Sequence, residues 1–219
     1  MLTPEQIENL PPDTRKEYMQ TALLLNQKKK DQSVRDDFMS FVKYIWPEFI
    51  EGEHHKIMAD KFNKVASGEI KRLIINMAPR HTKSEFASNL LPAWMIGNNP
   101  KLKIIQATHN AELAVRFGRK AKTVIDSEDY QNIFNTRLRE DSKAAGKWET
   151  DQGGEYYAAG VGGSITGRGA DLMIIDDPEV IEFPAIMPSG KPVWPGYWKL
   201  EELESVKASV AIGKWNAQY

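Results

Sequence analysis

A lysine–serine pair, Lys83 and Ser84, ends a short loop that follows an apolar run at residues 73–76 and precedes a helix-like segment. In such a loop, backbone N–H groups and the helix N-terminus hold phosphate oxygens, the lysine neutralises their charge and the hydroxyl binds Mg²⁺. The positions that usually carry glycine hold Thr82 and Met77. The alternative interpretation is an ordinary strand–turn–helix with an exposed lysine.

Two aspartates, Asp176 and Asp177, follow a second apolar run at residues 172–175. A buried parallel strand that presents carboxylates at its C-terminal end suits a nucleotide site, because one carboxylate holds Mg²⁺ through water and the next orients or deprotonates the attacking water. The alternative is a core strand that ends in a solvated Asp-Asp-Pro turn. The presence of both motifs in this order favours the nucleotide site.

Alternating strands and helices are expected to position these residues. The patterns predict strands at 72–77 and 102–107, each followed by a helix, at 84–96 and 111–126. Strands that alternate with helices of this length indicate βαβ units and a parallel sheet. The more polar residues 127–170 are expected to hold one strand that turns back into the strand before Asp176.

The N-terminal part of the chain is predicted to be helical. Residues 1–35 read as a peripheral helical extension, followed by a helix that ends before Pro47. The pair His54-His55 opens a further helix. Adjacent histidines point in different directions on a helix, so we expect packing or hydrogen bonding from them and not a shared metal.

Composition excludes several classes of protein. The chain has no cysteine, which excludes disulfides and thiolate zinc sites, and no apolar run is long enough for a membrane span. The polar N-terminus does not resemble a leader peptide. The net charge is −1, so any contact with DNA requires a local basic face. The predicted helix 111–126 offers one, with a solvated face as the alternative: Arg116, Arg119, Lys120 and Lys122.

A glycine-rich stretch at residues 160–169 precedes the second apolar run. Its glycines permit positive φ angles and close approach of the backbone. Arg168 within it is either a turn residue or a cation that faces phosphate, and spacing alone leaves both open.

Together these motifs resemble a known family, the large terminase subunit of tailed bacteriophages, and specifically its N-terminal packaging ATPase. The resemblance covers roughly residues 36–219. The motifs that carry it are 68–77 with Pro79–Glu85, Lys147-Trp148, Gly153-Gly154, 159–171, Asp176-Asp177-Pro178, Trp194-Pro195 and 215–219.

The resemblance implies an α/β fold of the P-loop NTPase type with an additional strand and a catalytic acid. It implies a mostly parallel central sheet flanked by helices over 36–219, beside the helical extension 1–35, with ATP and Mg²⁺ as cofactors. The nucleotide-binding residues would be Pro79, Arg80, His81, Thr82, Lys83, Ser84 and Glu85. By position, Lys83 would contact the β/γ-phosphates, Ser84 and Asp176 would bind Mg²⁺, and Asp177 would act on water, with Arg80 stabilising transition-state charge.

The activity implied by the resemblance is ATP-driven translocation of double-stranded DNA into a procapsid. The implied partners are the portal protein, the small terminase subunit and further copies of the chain in a ring, in the host cytoplasm and without a membrane. Another P-loop nucleic-acid motor is a related alternative. An assembly or regulatory module that binds nucleotide without hydrolysis is an alternative of another class. No nuclease activity is expected from this chain.

Three departures from the family pattern affect these expectations. Thr82 replaces a glycine, and Asp177 stands where many relatives have glutamate. Glu179 follows Pro178 directly, whereas relatives have several dozen intervening residues with a further core strand and a coupling segment. Either the chain has rearranged locally, or a partner chain supplies the missing piece, or the ATPase domain is an engineered or naturally reduced form, internally shortened after Pro178. We expect nucleotide binding with impaired or absent autonomous translocation of DNA.

Overall fold

The computed structural model describes residues 4–77, 81–160, 163, 165, 167–176 and 199–209 of the 219-residue chain. The chain divides into two compact units between Pro178 and Glu179. In the described part, the second unit contributes one helix. The elements, in chain order, are α1 (Pro4–Glu8), α2 (Pro12–Asp36), α3 (Phe38–Ile45), α4 (Glu53–Ala66), a π-helical segment (Glu85–Leu90), α5 (Leu91–Asn98), β1 (Lys103–Thr108), α6 (Ala111–Ile125), α7 (Glu128–Ile133), β2 (Leu138–Ala144), β3 (Lys147–Thr150), β4 (Glu155–Gly160), β5 (Leu172–Asp176) and α8 (Leu200–Ser209).

The sheet of the first unit has five strands in the order β2-β3-β4-β1-β5. The central strand β1 pairs in parallel with both β4 and β5, and its last residue, Thr108, lies opposite Gly160 on one side and Asp176 on the other. The C-terminal ends of three parallel strands therefore meet at one edge of the sheet, and Asp176 stands at that edge.

The sheet is mixed, which corrects the prediction of a mostly parallel one. The pairs β2–β3 and β3–β4 are antiparallel. The strand β2 was missed because its sequence is largely charged, without the apolar alternation that marks a half-buried strand. Its charges suit an edge position. Arg139 of β2 bridges Asp141 on its own strand and Glu149 on β3, at 2.6 and 2.9 Å.

The predicted strand at 72–77 is wrong, because the described chain forms no strand over these residues. Leu73, Ile75 and Met77 pack in part against the core, whereas Ile74 is 87% exposed. Every second residue thus contacts the core although the backbone pairs with no described strand. This alternation of contact explains the apolar pattern from which a strand was predicted. Within the described residues, β5 pairs only with β1, so its other edge is open.

The predicted helices over residues 36–126 are confirmed with adjusted limits as α3, α4 and α6. Gly68 follows α4 with a φ of 78°, a left-handed conformation that glycine adopts at little cost. The predicted helix 84–96 consists of the π-helical segment followed by α5. The buried residues of helix α6 lie on one face: Ala114, Phe117, Gly118, Ala121 and Ile125.

The hydrophobic core lies between these helices and one face of the sheet. Phe38 of α3 is fully buried and makes edge contacts with Phe62, Phe86 and Trp94, at centroid distances of 5.2 to 5.6 Å. On the sheet side, Trp148 donates a 3.1 Å hydrogen bond to the carbonyl of Gly118 in α6. The π-helical segment and α6 are thus fixed against the sheet, and both lead to the edge that carries Asp176. No helix in the described part of the chain is long and apolar enough to cross a membrane.

Candidate functional site

Lys83 and Asp176, the two residues singled out from separate motifs, lie together in the structure. The Lys83 Nζ is 3.7 Å from Asp176 Oδ1, and the two side chains are 33% and 5% exposed. This distance makes an ion pair but exceeds a direct hydrogen bond, so a water or ligand oxygen can bridge the two groups. The buried carboxylate and the accessible ammonium together form a polar site at the C-terminal edge of the parallel strands.

A serine in the π-helical segment orients the Asp176 carboxylate. Ser88 Oγ donates a 2.7 Å hydrogen bond to Asp176 Oδ2, and the Gln106 amide donates to Ser88 Oγ at 3.3 Å. All three side chains are buried. Sequence reasoning missed Ser88 and Gln106, although Ser88 lies four residues after Ser84 and so on the same side of a helix.

The residue before Lys83 has an unusual backbone conformation. Thr82 has a φ of 63°, the only positive φ of a residue other than glycine in the described chain. This left-handed conformation costs a residue with a Cβ about 1–2 kcal/mol. The Thr82 carbonyl accepts the Phe86 N–H at 3.0 Å, which begins the helical segment. The loop thus takes the turn that a glycine would favour, with a threonine in its place.

His55 of α4 contacts this loop. Its Nε2 is 2.6 Å from Thr82 Oγ1, and its Nδ1 accepts the Gly52 N–H at 2.8 Å. Burial lowers the pKa of His55, and His54 and His81 lower it further, against an opposing effect of Glu51. The predicted packing and hydrogen-bonding role is confirmed for His55.

The His54 and His55 rings do not diverge as predicted, because their centroids are only 3.8 Å apart. Both residues lie in the first turn of α4 beside Gly52, where a Cβ would be 2.9 Å from the His54 ring. The absence of a side chain at Gly52 lets the two rings lie side by side.

Glu85, predicted to contact nucleotide, forms an ion pair with Lys120 of α6, and its other carboxylate oxygen accepts a 2.6 Å hydrogen bond from Asn89. This contact ties α6 to the helical segment that follows the loop. Lys120 is therefore held by an acidic partner, whereas Arg116 and Arg119 of the predicted basic face are exposed.

Arg168 lies far from Lys83 and Asp176. Its guanidinium pairs with Glu155 at 2.6 Å and stacks over the Tyr157 ring at 3.9 Å. Glu155 begins β4, whereas the site lies where β4 ends, about 17 Å away at about 3.3 Å per residue. Of the two interpretations left open, the structure favours the turn residue.

The structure describes some of the remaining predicted site residues and not others. Ser84 is half-buried and has helical backbone angles, one residue after Lys83. His81 is exposed and its ring centroid is 6.0 Å from that of His54. Pro79, Arg80 and Asp177 lie outside the described residues. Within the described part of the chain, no three His, Asp or Glu side chains cluster to hold a metal ion alone.

The arrangement suits an anion that brings its own cation. Lys83 and the first helical turn offer positive charge and N–H groups, and the Asp176 carboxylate offers an oxygen ligand. Mg²⁺ in nucleotide sites keeps several waters and takes one or two protein oxygens plus phosphate oxygens, so no larger cluster of acidic side chains is needed. The described residues therefore fit a magnesium-bound phosphate ester.

Comparison with known proteins found a relative among phage proteins. The chain is 24% identical over 165 residues to the terminase large subunit of Enterobacteria phage T3. The match covers 74% of this chain but only 28% of that protein's length. No protein-family model and no solved structure matches the chain. The similarity confirms the resemblance to terminase large subunits that the motifs indicated.

Proposed function

We propose that this chain is the ATP-hydrolysing motor domain of a terminase, which drives double-stranded DNA into a procapsid. The observation that carries the proposal is the 3.7 Å approach of Lys83 to Asp176 at the C-terminal edge of β1, β4 and β5. The similarity to a terminase large subunit supports the biological setting. The α/β organisation is compatible with a P-loop NTPase fold of the additional-strand, catalytic-acid type.

The position of the site agrees with nucleotide binding. In α/β proteins, ligands bind outside the carboxyl ends of parallel strands, where loops and helix N-termini converge. Lys83 begins the helical segment that passes Ser88 and continues into α5. The N–H groups of its first turn have no partners within the helix, and together with the helix dipole they favour a phosphate. Lys83 would add a full positive charge at the same place.

The proposed roles follow from charge and position. Lys83 would hold the β/γ-phosphates, and Ser84 and Asp176 would hold Mg²⁺, which supplies charge neutralisation on the phosphates. The Ser88 hydrogen bond orients the Asp176 carboxylate for this. Asp177, next along the chain, would orient or deprotonate water, and Arg80 would stabilise charge in the transition state.

A second function, nucleotide binding without hydrolysis, is favoured by one observation. Thr82 puts a side chain into the loop where a glycine would let the backbone approach phosphate closely. A phosphate held less closely would receive less stabilisation of the charge that develops in the transition state. The chain would then serve as an assembly or regulatory module.

Phosphate release distinguishes the two functions. We expect Mg²⁺-dependent release of phosphate from ATP by the native chain. In Lys83→Ala and Asp177→Asn we expect the rate to fall by a factor of about 100 or more. Lys101→Ala is the matched control, because Lys101 is an exposed lysine before β1, at the opposite edge of the sheet. Equal rates in all four proteins, with Mg²⁺-ATP still bound, would favour the module. Failure of the native chain to bind Mg²⁺-ATP would contradict both functions.

The partners proposed for the motor are DNA, the portal protein, the small terminase subunit and further copies of the chain. Arg116 and Arg119 on α6 are the exposed cations available for DNA phosphates in the described part of the predicted basic face. We propose that translocation by this chain alone is impaired, because the coupling segment expected after Pro178 is absent from the sequence. Robust processive movement of DNA in a single-molecule packaging assay would contradict that.

A further inference from the structure

A continuous line of hydrogen bonds joins helix α4 to the loop before Lys83. The Gly52 N–H donates to His55 Nδ1 at 2.8 Å, and His55 Nε2 lies 2.6 Å from Thr82 Oγ1. The Thr82 hydroxyl in turn donates to the carbonyl of His81 at 2.6 Å. His55, in the middle of this line, is only 5% exposed.

The chemistry of the groups fixes the direction of every bond in this line. A backbone N–H can only donate, so His55 Nδ1 must accept and the ring proton must be on Nε2. The hydroxyl hydrogen of Thr82 is directed to the His81 carbonyl, so Thr82 Oγ1 accepts from Nε2–H. Only the neutral ring in one tautomer satisfies all three bonds. Protonation at Nδ1 would place two donors, the ring and the Gly52 N–H, against each other.

The last side chain in the line belongs to the residue with the strained backbone. Thr82 has a φ of 63° and its carbonyl accepts the first N–H of the helical segment, from Phe86. Lys83 follows immediately, so rotation of Thr82 into an ordinary conformation would move the Lys83 ammonium away from Asp176. The two hydrogen bonds of the Thr82 hydroxyl oppose that rotation.

We infer that His55 is a positioning residue for phosphate binding: it holds Thr82 in the left-handed conformation and thereby holds Lys83 opposite Asp176. A histidine–threonine pair thus performs in this chain what a glycine performs in an ordinary phosphate-binding loop. The inference rests on the proposed function for its consequence, nucleotide affinity, but its structural content can be tested without nucleotide.

The competing explanation is that His55 only fills space. Its ring packs against Phe49 and Phe86, at centroid distances of 4.7 and 5.0 Å. The substitution His55→Phe separates the two explanations, because phenylalanine keeps an aromatic ring of similar shape and removes both hydrogen bonds. His54→Phe is the matched control, since His54 lies in the same turn but outside the line of hydrogen bonds.

The decisive experiment combines His55→Phe with Thr82→Gly. We expect His55→Phe to weaken binding of Mg²⁺-ATP at least tenfold, and His54→Phe to change it less than twofold. In the double variant His55→Phe/Thr82→Gly we expect affinity to return to within threefold of native, because glycine takes a positive φ without an anchor. His55→Gln, which keeps an N–H for Thr82, should lose less than His55→Phe. A space-filling role predicts native affinity in His55→Phe; that result, or a loss that Thr82→Gly does not rescue, would overturn the inference.

Nuclear magnetic resonance tests the structural content in the absence of nucleotide. We expect the His55 ring nitrogens to show the tautomer protonated at Nε2, and the ¹³Cα and ¹³Cβ shifts of Thr82 to show a positive φ that His55→Phe abolishes. Retention of the positive-φ shifts in His55→Phe would overturn the inference even if nucleotide binds normally. Expected shifts without any binding of Mg²⁺-ATP would uphold the anchor and reject the proposed function instead.

The pH profile adds a readout that packing alone would not move. The charged groups facing His55 are His54 in the same turn, Glu51 before α4 with its partner Lys43 at 2.6 Å, and His81 in the loop. Phe86, from the π-helical segment, carries no charge. We expect native affinity for Mg²⁺-ATP to fall at least fivefold as His55 becomes protonated below its lowered pKa. The double variant His55→Phe/Thr82→Gly should lack this loss, and an identical loss in both proteins would count against the inference.

Discussion

Ser88 Oγ donates a 2.7 Å hydrogen bond to Asp176 Oδ2, and this bond joins the helical segment after Lys83 to the end of β5. The two residues are separated by 88 positions in sequence, yet both are buried. The bond leaves Asp176 Oδ1 to face Lys83, at 3.7 Å. Ser88 therefore holds one oxygen of the Asp176 carboxylate, and the other oxygen faces Lys83 in the site.

Ser88→Ala tests whether this orientation matters for Mg²⁺. Partners that orient metal-binding carboxylates typically contribute 10- to 100-fold in metal affinity, so we expect Mg²⁺-dependent ATP binding to weaken by about that factor. Isothermal titration at varied Mg²⁺ concentration measures it. Ser67→Ala is the control, because Ser67 is exposed and its hydroxyl donates to the backbone carbonyl of Lys64. Equal Mg²⁺ dependence in both variants would contradict a role of Ser88 in Mg²⁺ binding.

The stability of the chain should depend on pH through His55. Burial lowers the pKa of folded His55 below the ordinary value of 6.5, so the unfolded chain binds its proton more readily. Neutral His55 makes its full contribution to the free energy of unfolding above pH 6.5. This contribution is lost as pH falls from 6.5 toward the lowered pKa, by at most about 1.4 kcal/mol per pH unit. Urea unfolding between pH 7.5 and 5 should show a smaller slope in His55→Gln than in the native chain.

Gly118→Ala should destabilise the packing of α6 on the sheet. A Cβ at Gly118 would lie 2.5 Å from the Ala145 carbonyl and 2.8 Å from the Tyr156 ring. Overpacking of this kind costs about 1–3 kcal/mol, against a gain of under about 1 kcal/mol in helix propensity. Gly169→Ala is the control, since no atom lies within 4 Å of its Cβ position. Denaturant midpoints that do not differ between the two variants would mean that α6 shifts freely.

Phe38→Ala should produce one of the largest losses of stability in the chain. Phe38 is fully buried and contacts aromatic rings from α3, α4, the π-helical segment and α5. Removal of such a ring costs about 3–5 kcal/mol in the free energy of unfolding. Leu24→Ala on α2, where the side chain is 65% exposed, should change it by less than about 0.5 kcal/mol. Chemical denaturation followed by circular dichroism compares the two.

The sequence predicted what depends on local pattern. The strand before Asp176 and helix α6 carry apolar runs of the right period, and both form as expected. The strand expected at 72–77 does not form, because apolar alternation shows that every second residue is buried and does not show that the backbone has a partner. The hairpin of β2 and β3 was missed for the converse reason: β2 is paired along its backbone but has few residues to bury.

The residues of the candidate site also divide into those that the local sequence predicted and those that it did not. Lys83 and Asp176 were identified because their residue types follow apolar runs in a recognisable order. Ser88 and His55 were not, because their roles depend on which atoms meet after folding. The positive φ of Thr82 was not predicted either, although glycine is usual at this position of the loop, because a residue with a β-branched side chain seldom adopts that conformation.

The open side of β5 has a practical consequence. Within the described chain, this strand has a strand partner on one side only, and Met173 and Ile175 of the same strand are 50% and 61% exposed. An unpaired edge with apolar side chains is a template on which another extended chain can add. Concentrated samples should therefore grow filaments or precipitate on storage. A charge introduced by Ile175→Lys should slow this aggregation more than a substitution elsewhere on the surface does.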